Sequence, residues 1–298
     1  MFDFIYQQQL QPHHFEQKIE WLIDGVIAKG LITLIYADGG NGKSWLAAGI
    51  SKYAATQGMS IVYLDYDTPL QSLAERGINE KLVYTSDRVH FVSRGTATMR
   101  PEVFLDALEE KAVSGTYKNT LIVFDSLRNF ADINNNARAM QALDQIMNLR
   151  EAGATVLIIS HANKDGRNYQ GSNNIRNSID NMYRLTKVES PSRCIMRFML
   201  NVEKERVQIG DAAFELDTAD LTLSPIDLSI VQMSAEDKAF VNEVKVILTK
   251  QPGINKTDLL AELGYNKDDK TARNRLDQYE DLFWVCEKQG KAYTYRLP

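Results

Sequence analysis

Only two cysteines, Cys194 and Cys286, occur in the 298 residues, far apart and without metal-ligand spacing. That excludes a disulfide framework and a cysteine-based zinc site, and it suits a reducing compartment. No apolar run reaches the ~18 residues of a membrane span, so no membrane association is expected. The amino-terminal stretch MFDFIYQQQLQPHHFEQ lacks the basic region and long apolar core of a secretory signal. A cytoplasmic location is the expectation. Basic residues are not in excess either: Lys and Arg number 34 against 39 acids, a net charge of −5. This argues against a histone-like nucleic-acid binder, although a local channel for DNA stays open. Internal repeats and low-complexity tracts are absent, and His13 and His14 read as surface residues. What is present is an ordinary globular composition, 44% apolar and 24% charged, in a chain long enough for one large domain and a small one.

The chain is organised around LITLIYADGGNGKSWLAAGIS, Leu31 to Ser51. A short apolar strand runs into a turn made of Asp38, Gly39, Gly40, Asn41 and Gly42, followed by Lys43, Ser44 and a helical pattern. Strand, glycine-rich turn, Lys-Ser and helix together are a phosphate-binding loop in its required context. Glycines let backbone N–H groups turn inward, and the helix start adds a positive dipole end. Lys43 is placed to reach the β- and γ-phosphates of ATP, and the Ser44 hydroxyl to ligate Mg²⁺. Ala37 stands where the motif opens with glycine. It disfavours positive φ, so the first turn must be built without it.

A second strand, Ser60 to Leu64, leads into Asp65, Tyr66, Asp67, Thr68 and Pro69. Period-two alternation puts Asp65 and Asp67 on one side. Val89 to Val92 reads as a strand and Pro101 to Val113 as an amphipathic helix. Thr120 to Asp125 is a continuous apolar run ending in an acid, as expected of a buried parallel strand whose Asp125 complements the phosphate loop at Mg²⁺. Helix Ala137 to Glu151 and strand Thr155 to His161 follow. The polar stretch from Ala162 to Asn174 occupies a ligand-facing position at a strand's carboxyl end. Ile175 to Asp180 is helical, and Met182–Thr186, Cys194–Asn201 and Ala213–Leu216 read as mainly antiparallel strands. The fold class is therefore α/β, with a mostly parallel central sheet. Residues 1–20 form an arm, 21–216 the main domain, 217–234 a linker and 235–298 a second domain. In the last, three helices and a hairpin make a winged-helix pattern, with Lys270, Arg273 and Arg275 on the third helix as candidate DNA contacts. Docking of partner proteins is the alternative use of that domain.

WLIDG, ADGGNGKS, YLDYDTP, LIVFDSL, VLIISHANKDG, GSNNIRNSID and the pair Lys204 and Arg206 occur in one order. From Trp21 to about Leu216 the chain resembles the RecA-like ATPases of the plasmid RepA type, the hexameric replicative helicases of plasmids and phages. The resemblance implies a homo-oligomeric ring, usually of six subunits, with ATP between neighbours and single-stranded DNA in the lumen. It also implies residue roles. Asp67 stands where the family has a catalytic Glu, one methylene longer, and Asp65 is close enough to be a rival for that role. His161 resembles the sensor of γ-phosphate. Lys204 and Arg206 resemble fingers that reach a neighbour's nucleotide, with a solvated hairpin as the alternative. Lys164, Arg167, Asn168, Ser172 and Asn173 fall in the loop that grips DNA. The expected activity is ATP-driven DNA unwinding or translocation in replication. A non-unwinding loader or annealing factor and an ATPase-switched DNA-binding regulator are the alternatives.

Overall fold

The computed structural model describes residues 5, 9–16, 18–132, 135–163, 169–170, 173–289 and 292–298. The chain divides into two compact units, Met1–Val231 and Gln232–Pro298.

Unit 1 begins with β1 (Trp21–Ile23) paired to β2 (Ile27–Ala28). Its main sheet contains β3 (Ile32–Ala37), β4 (Ser60–Asp65), β5 (Val89–Ser93), β6 (Thr120–Asp125), β7 (Thr155–His161), β8 (Asn181–Val188), β9 (Ile195–Lys204), β10 (Ala212–Asp217) and β11 (Leu223–Ile226). The nine strands lie in the order β11-β10-β9-β8-β3-β7-β6-β4-β5. From β8 to β5 every neighbouring pair is parallel, and β8 to β11 is an antiparallel meander.

The apolar runs explain this layout. All residues of β3 and β6 are buried, because helices cover both faces. Alternate positions serve different cores. Ile35, Tyr63, Val123 and Leu157 pack with Leu46 and Ile50 of helix Lys43–Thr56. Leu34, Phe124 and Ile158 pack on the other face with Leu143, Ile146 and Leu149 of helix Asn136–Glu151. That second helix starts where Asn135 Oδ1 accepts the N–H groups of Ala137 and Arg138, at 3.1 and 3.2 Å. Because β3 lies in mid-sheet and β4 three positions away, beyond β7 and β6, the chain leaves a crevice at the carboxyl ends of these strands.

The stretch 217–234 is not the linker expected from its Asp, Thr, Ser and Pro content. Leu223–Ile226 pairs with β10 as an edge strand, where Pro225 is tolerated, and Leu228–Gln232 is helical. Helices Leu70–Glu75 and Ile78–Lys81 were not anticipated either; both are short. The arm contributes a 3₁₀ turn, Pro12–Phe15.

Unit 2 contains helices Ala235–Lys250, Lys256–Glu262 and Lys270–Gln278 and a small sheet of β12 (Ile254–Asn255), β13 (Val285–Gln289) and β14 (Ala292–Arg296), in the order β12-β14-β13. Ser234, Asn255 and Asp269 cap the three helices through their side chains. Trp284 is fully buried at the centre, its indole N–H donating to Leu276 O at 3.0 Å. No helix among the described residues is long and apolar enough to cross a membrane.

Candidate functional site

The turn after β3 takes positive φ at Gly40 (78°) and Gly42 (82°). Ala37 ends β3 outside that region, so the missing first glycine leaves the turn unstrained. Gly42 is also required by close approach, since a Cβ there would lie 2.6 Å from Met196 Cε and 2.8 Å from Phe198 Cε1. It precedes helix Lys43–Thr56, whose first N–H groups face the crevice. Lys43 is buried, and its Nζ donates to the carbonyls of Ala37 and Asp38, both at 2.8 Å. Burial lowers its pKa, opposed by the charges of Asp125, Asp38 and Asp67. Asp38 and Asn41 shape the turn, with Asn41 Nδ2 donating to Asp38 O at 3.3 Å. Gly39, Gly40, Gly42, Lys43 and Ser44 line a cleft of about 440 Å³ that also reaches Asp67, Asp125 and His161.

The two candidate bases separate clearly. β4 ends at Asp65, so the strand alternation expected to align Asp65 with Asp67 stops before Asp67. Asp65 is 1% exposed, and its Oδ1 accepts the N–H groups of Asp67 and Thr68 at 3.0 and 2.8 Å. It turns the chain. Asp67 projects into the cleft instead. Its Oδ2 lies 3.3 Å from His161 Nε2 and accepts from Ser126 Oγ at 3.3 Å, and its Oδ1 meets Arg128 at 2.5 Å. The His161 contact and the Arg128 charge hold its carboxyl far below the usual range, against the effect of burial, so it is ionised at neutral pH.

Asp125 lies beside Asp65 in register and is 2% exposed. Tyr63 OH donates to its Oδ2 at 2.9 Å, and the Ser44 side chain is also bonded to it. Burial first, and Asp65 second, push its pKa up to about 6. A buried carboxylate pair with a hydroxyl alongside is a donor set for a hard cation. Ser44 and Asp125 are the residues that fit Mg²⁺. Among the described residues no three His, Cys, Asp or Glu side chains form a metal cage.

This gives a stability prediction. A carboxyl whose pKa rises on folding adds stability below its unfolded pKa of ~3.9 and loses it as pH passes through the folded value. Asp125→Asn stays neutral throughout. In EDTA, denaturant titration is expected to find the variant more stable than wild type above pH 6, by on the order of 2 kcal/mol, and equal to it near pH 4. An unchanged difference across that range would show that Asp125 does not titrate on folding.

His161 ends β7 and reaches the polar loop that follows. Its carbonyl accepts Gln170 N–H at 2.8 Å, and Ala162 bridges Tyr169. Lys164, Arg167, Asn168 and Ser172 lie outside the described residues, and Asn173 opens helix Asn173–Ser178.

Lys204 and Arg206 are not brought to the cleft. β8 starts beside the start of β3, with Asn181 paired to Thr33, and Lys204 pairs with Met182. The phosphate turn follows the opposite end of β3, six residues or roughly 20 Å away at ~3.3 Å per residue. Neither side chain is simply solvated. Lys204 Nζ donates to the carbonyls of Arg176 and Ile179. Arg206 bonds Asp180 Oδ1 at 2.9 Å and Asn177 O at 2.8 Å. In unit 2, Lys270 is exposed, whereas Arg275 is paired with Glu236 and Asp237 at 3.0 and 2.9 Å. Arg273 donates to Lys267 O at 2.8 Å.

Sequence reasoning missed Trp45, Arg76, Lys187 and Arg193, all of which line the phosphate cleft. Arg76 lies 5.6 Å from the Trp45 ring centroid, a cation–π distance. Lys187 and Arg193 arrive through the β8–β9 hairpin and carry no local motif.

No curated protein sequence matches the chain. A family model described as an AAA domain does match, over residues 11–167. That span is more than half of the 298 residues and contains the phosphate turn, Asp67, Asp125 and His161; the chain therefore belongs to the AAA domain family and is a P-loop ATPase.

Proposed function

We propose that this ATPase is a ring-forming helicase or translocase on single-stranded DNA, acting in replication, with ATP hydrolysed between subunits. The observation that carries the reading is the path through His161. Its ring touches Asp67 in the nucleotide cleft, and its carbonyl holds the returning end of the polar loop. A change at the γ-phosphate thus has a direct mechanical route to the loop assigned to DNA. The distance of Lys204 and Arg206 from their own phosphate turn supports a finger role toward a neighbour. In unit 2, the order of helices and the β12-β14-β13 sheet support a winged-helix assignment, with DNA or a replication protein as its partner.

In this reading the backbone N–H groups from Gly39 to Ser44 cradle the phosphates. Lys43 exchanges its carbonyl partners for phosphate oxygens. Mg²⁺, when bound through Ser44 and Asp125, neutralises phosphate charge. Asp67 orients the attacking water. Its low pKa suits an acceptor that aligns the water rather than one that removes a proton early. Asp67→Asn is expected to keep nucleotide binding and to lower phosphate release by about 10²–10⁴-fold. The same signature from Asp65→Asn, with Asp67→Asn active, would move the role to Asp65. Faster turnover by Asp67→Glu would show that the short acid limits the rate.

The Asp67–Arg128 ion pair and the short carboxylate favour slow turnover, which suits the second reading, a non-unwinding loader or remodeller. Size measurements with and without ATP, Mg²⁺ and single-stranded DNA, with phosphate release on the same samples, test the ring. A monomer under every condition overturns it. Strand displacement then separates unwinding from remodelling.

A further inference from the structure

A second cleft, of about 550 Å³, lies at the carboxyl ends of β4, β5 and β6 and shares Asp67 with the phosphate cleft. Arg94 and Arg128 line it, and neither lines the phosphate cleft. We propose that this second cleft binds a backbone phosphate of single-stranded nucleic acid, and that Arg128, in taking the phosphate, releases Asp67 for hydrolysis. The inference rests on the reading of Asp67 as the residue that orients water.

The argument starts from the two oxygens of Asp67. Oδ2 is held by His161, which lines the phosphate cleft, and by Ser126. Oδ1 carries the ion pair with Arg128. While that pair lasts, the oxygen is bound to a cation and is a poorer acceptor for water. Arg128 is not locked in place, since its side chain is 49% exposed. An exposed pair of this kind contributes little, so a competing anion can displace it.

The cleft holds what such an anion needs. Two guanidinium groups face one carboxylate, leaving net positive charge at neutral pH. Their planar forks match phosphate oxygens. Arg94 is oriented by Asn129, whose Oδ1 accepts from its NH2 at 2.7 Å. Asn129 Nδ2 in turn lies 3.4 Å from Ser126 Oγ, the hydroxyl that donates to Asp67. Both cations are thus connected to the same acid, one directly and one through Asn129 and Ser126. Leu70, 43% exposed, adds an apolar wall beside the charges, suited to a sugar or base edge next to its phosphate. A strand end seated here would couple DNA occupancy to catalysis without touching the nucleotide.

The test uses the full chain. Binding of a fluorescein-labelled oligo-dT is followed by anisotropy without nucleotide, against salt. Arg94→Ala and Arg128→Ala are each expected to reduce the slope of log K on log salt by about 0.7, one strand phosphate apiece. ATP hydrolysis is followed in parallel. Arg128→Ala, with Arg128→Gln as its partner, is expected to hydrolyse ATP without oligo-dT about fivefold faster than wild type, and to gain little from adding it. An unchanged salt slope in both arginine variants removes the site. Loss of hydrolysis in both Arg128 variants, with circular dichroism intact, removes the release step and makes Arg128 an aid to catalysis. Equal stimulation of wild type by millimolar inorganic phosphate overturns the assignment to a nucleic-acid strand. If Asp67→Asn hydrolyses normally, the underlying reading of Asp67 fails, and the salt slopes still report on the cleft.

Discussion

Lys43→Ala is expected to abolish measurable ATP hydrolysis, a loss of at least about 10²–10³-fold, with the fold retained. Lys43 is the buried cation at the centre of the phosphate turn, and a fixed donor aimed at developing charge contributes on this scale. In the nucleotide-free chain its ammonium is satisfied by the Ala37 and Asp38 carbonyls. Ala37 O also accepts the Ala162 N–H at 3.0 Å and Asp38 is exposed, so truncation leaves neither carbonyl buried without a partner, and the cost to stability is small. The acids around the site make the functional loss steep. Asp67 and Asp125 both lie in the cleft, and their charges act on Lys43. Phosphate release measured on a variant with an unchanged circular dichroism spectrum checks the expectation. Wild-type turnover would sink the reading of the whole stretch from Leu31 to Ser51.

The second large effect acts between subunits. Arg206→Ala is expected to bind ATP normally and to hydrolyse it about 10³-fold more slowly, the size of effect an arginine finger supplies. Arg206 lies at the strand ends away from its own phosphate turn, and its side chain is 47% exposed while it pairs with Asp180. A half-exposed fork can leave that pair for phosphate oxygens. Mixing Arg206→Ala with Lys43→Ala is expected to restore part of the activity. An interface that joins an intact phosphate turn to an intact Arg206 rebuilds one complete site, which neither variant forms alone. Subunit exchange has to be established first, by sizing differently tagged proteins. Normal hydrolysis by Arg206→Ala would return Arg206 to a structural role, bonding Asp180 and the carbonyl of Asn177.

Much of the parallel core was legible because its signals are local. β3, β6 and β7 are runs of mostly buried apolar residues ended by a turn, an acid or the polar pair Ser160-His161, and such runs read the same with or without their neighbours. The phosphate turn was legible for the same reason, since glycine, lysine and serine act there through adjacent backbone. β11 was not legible. Its Leu-Ser-Pro-Ile sequence is a strand only because β10 presents a free edge beside it. Asp65 and Asp67 were inseparable by spacing. Their difference comes from the end of β4, where Asp65 captures two backbone N–H groups and leaves Asp67 in the cleft.

The sequence by itself determined the α/β class, the phosphate turn with Lys43 and Ser44, and the acid that closes β6, because each depends on residues within a few positions of one another. Tertiary structure alone decided that Asp67 meets Arg128 and His161, that Lys187 and Arg193 reach the nucleotide cleft, and that Lys204 and Arg206 stay at the opposite strand ends. These contacts join residues far apart in the chain. Strand order and register bring them together, and no short stretch of sequence records the order in which strands pair.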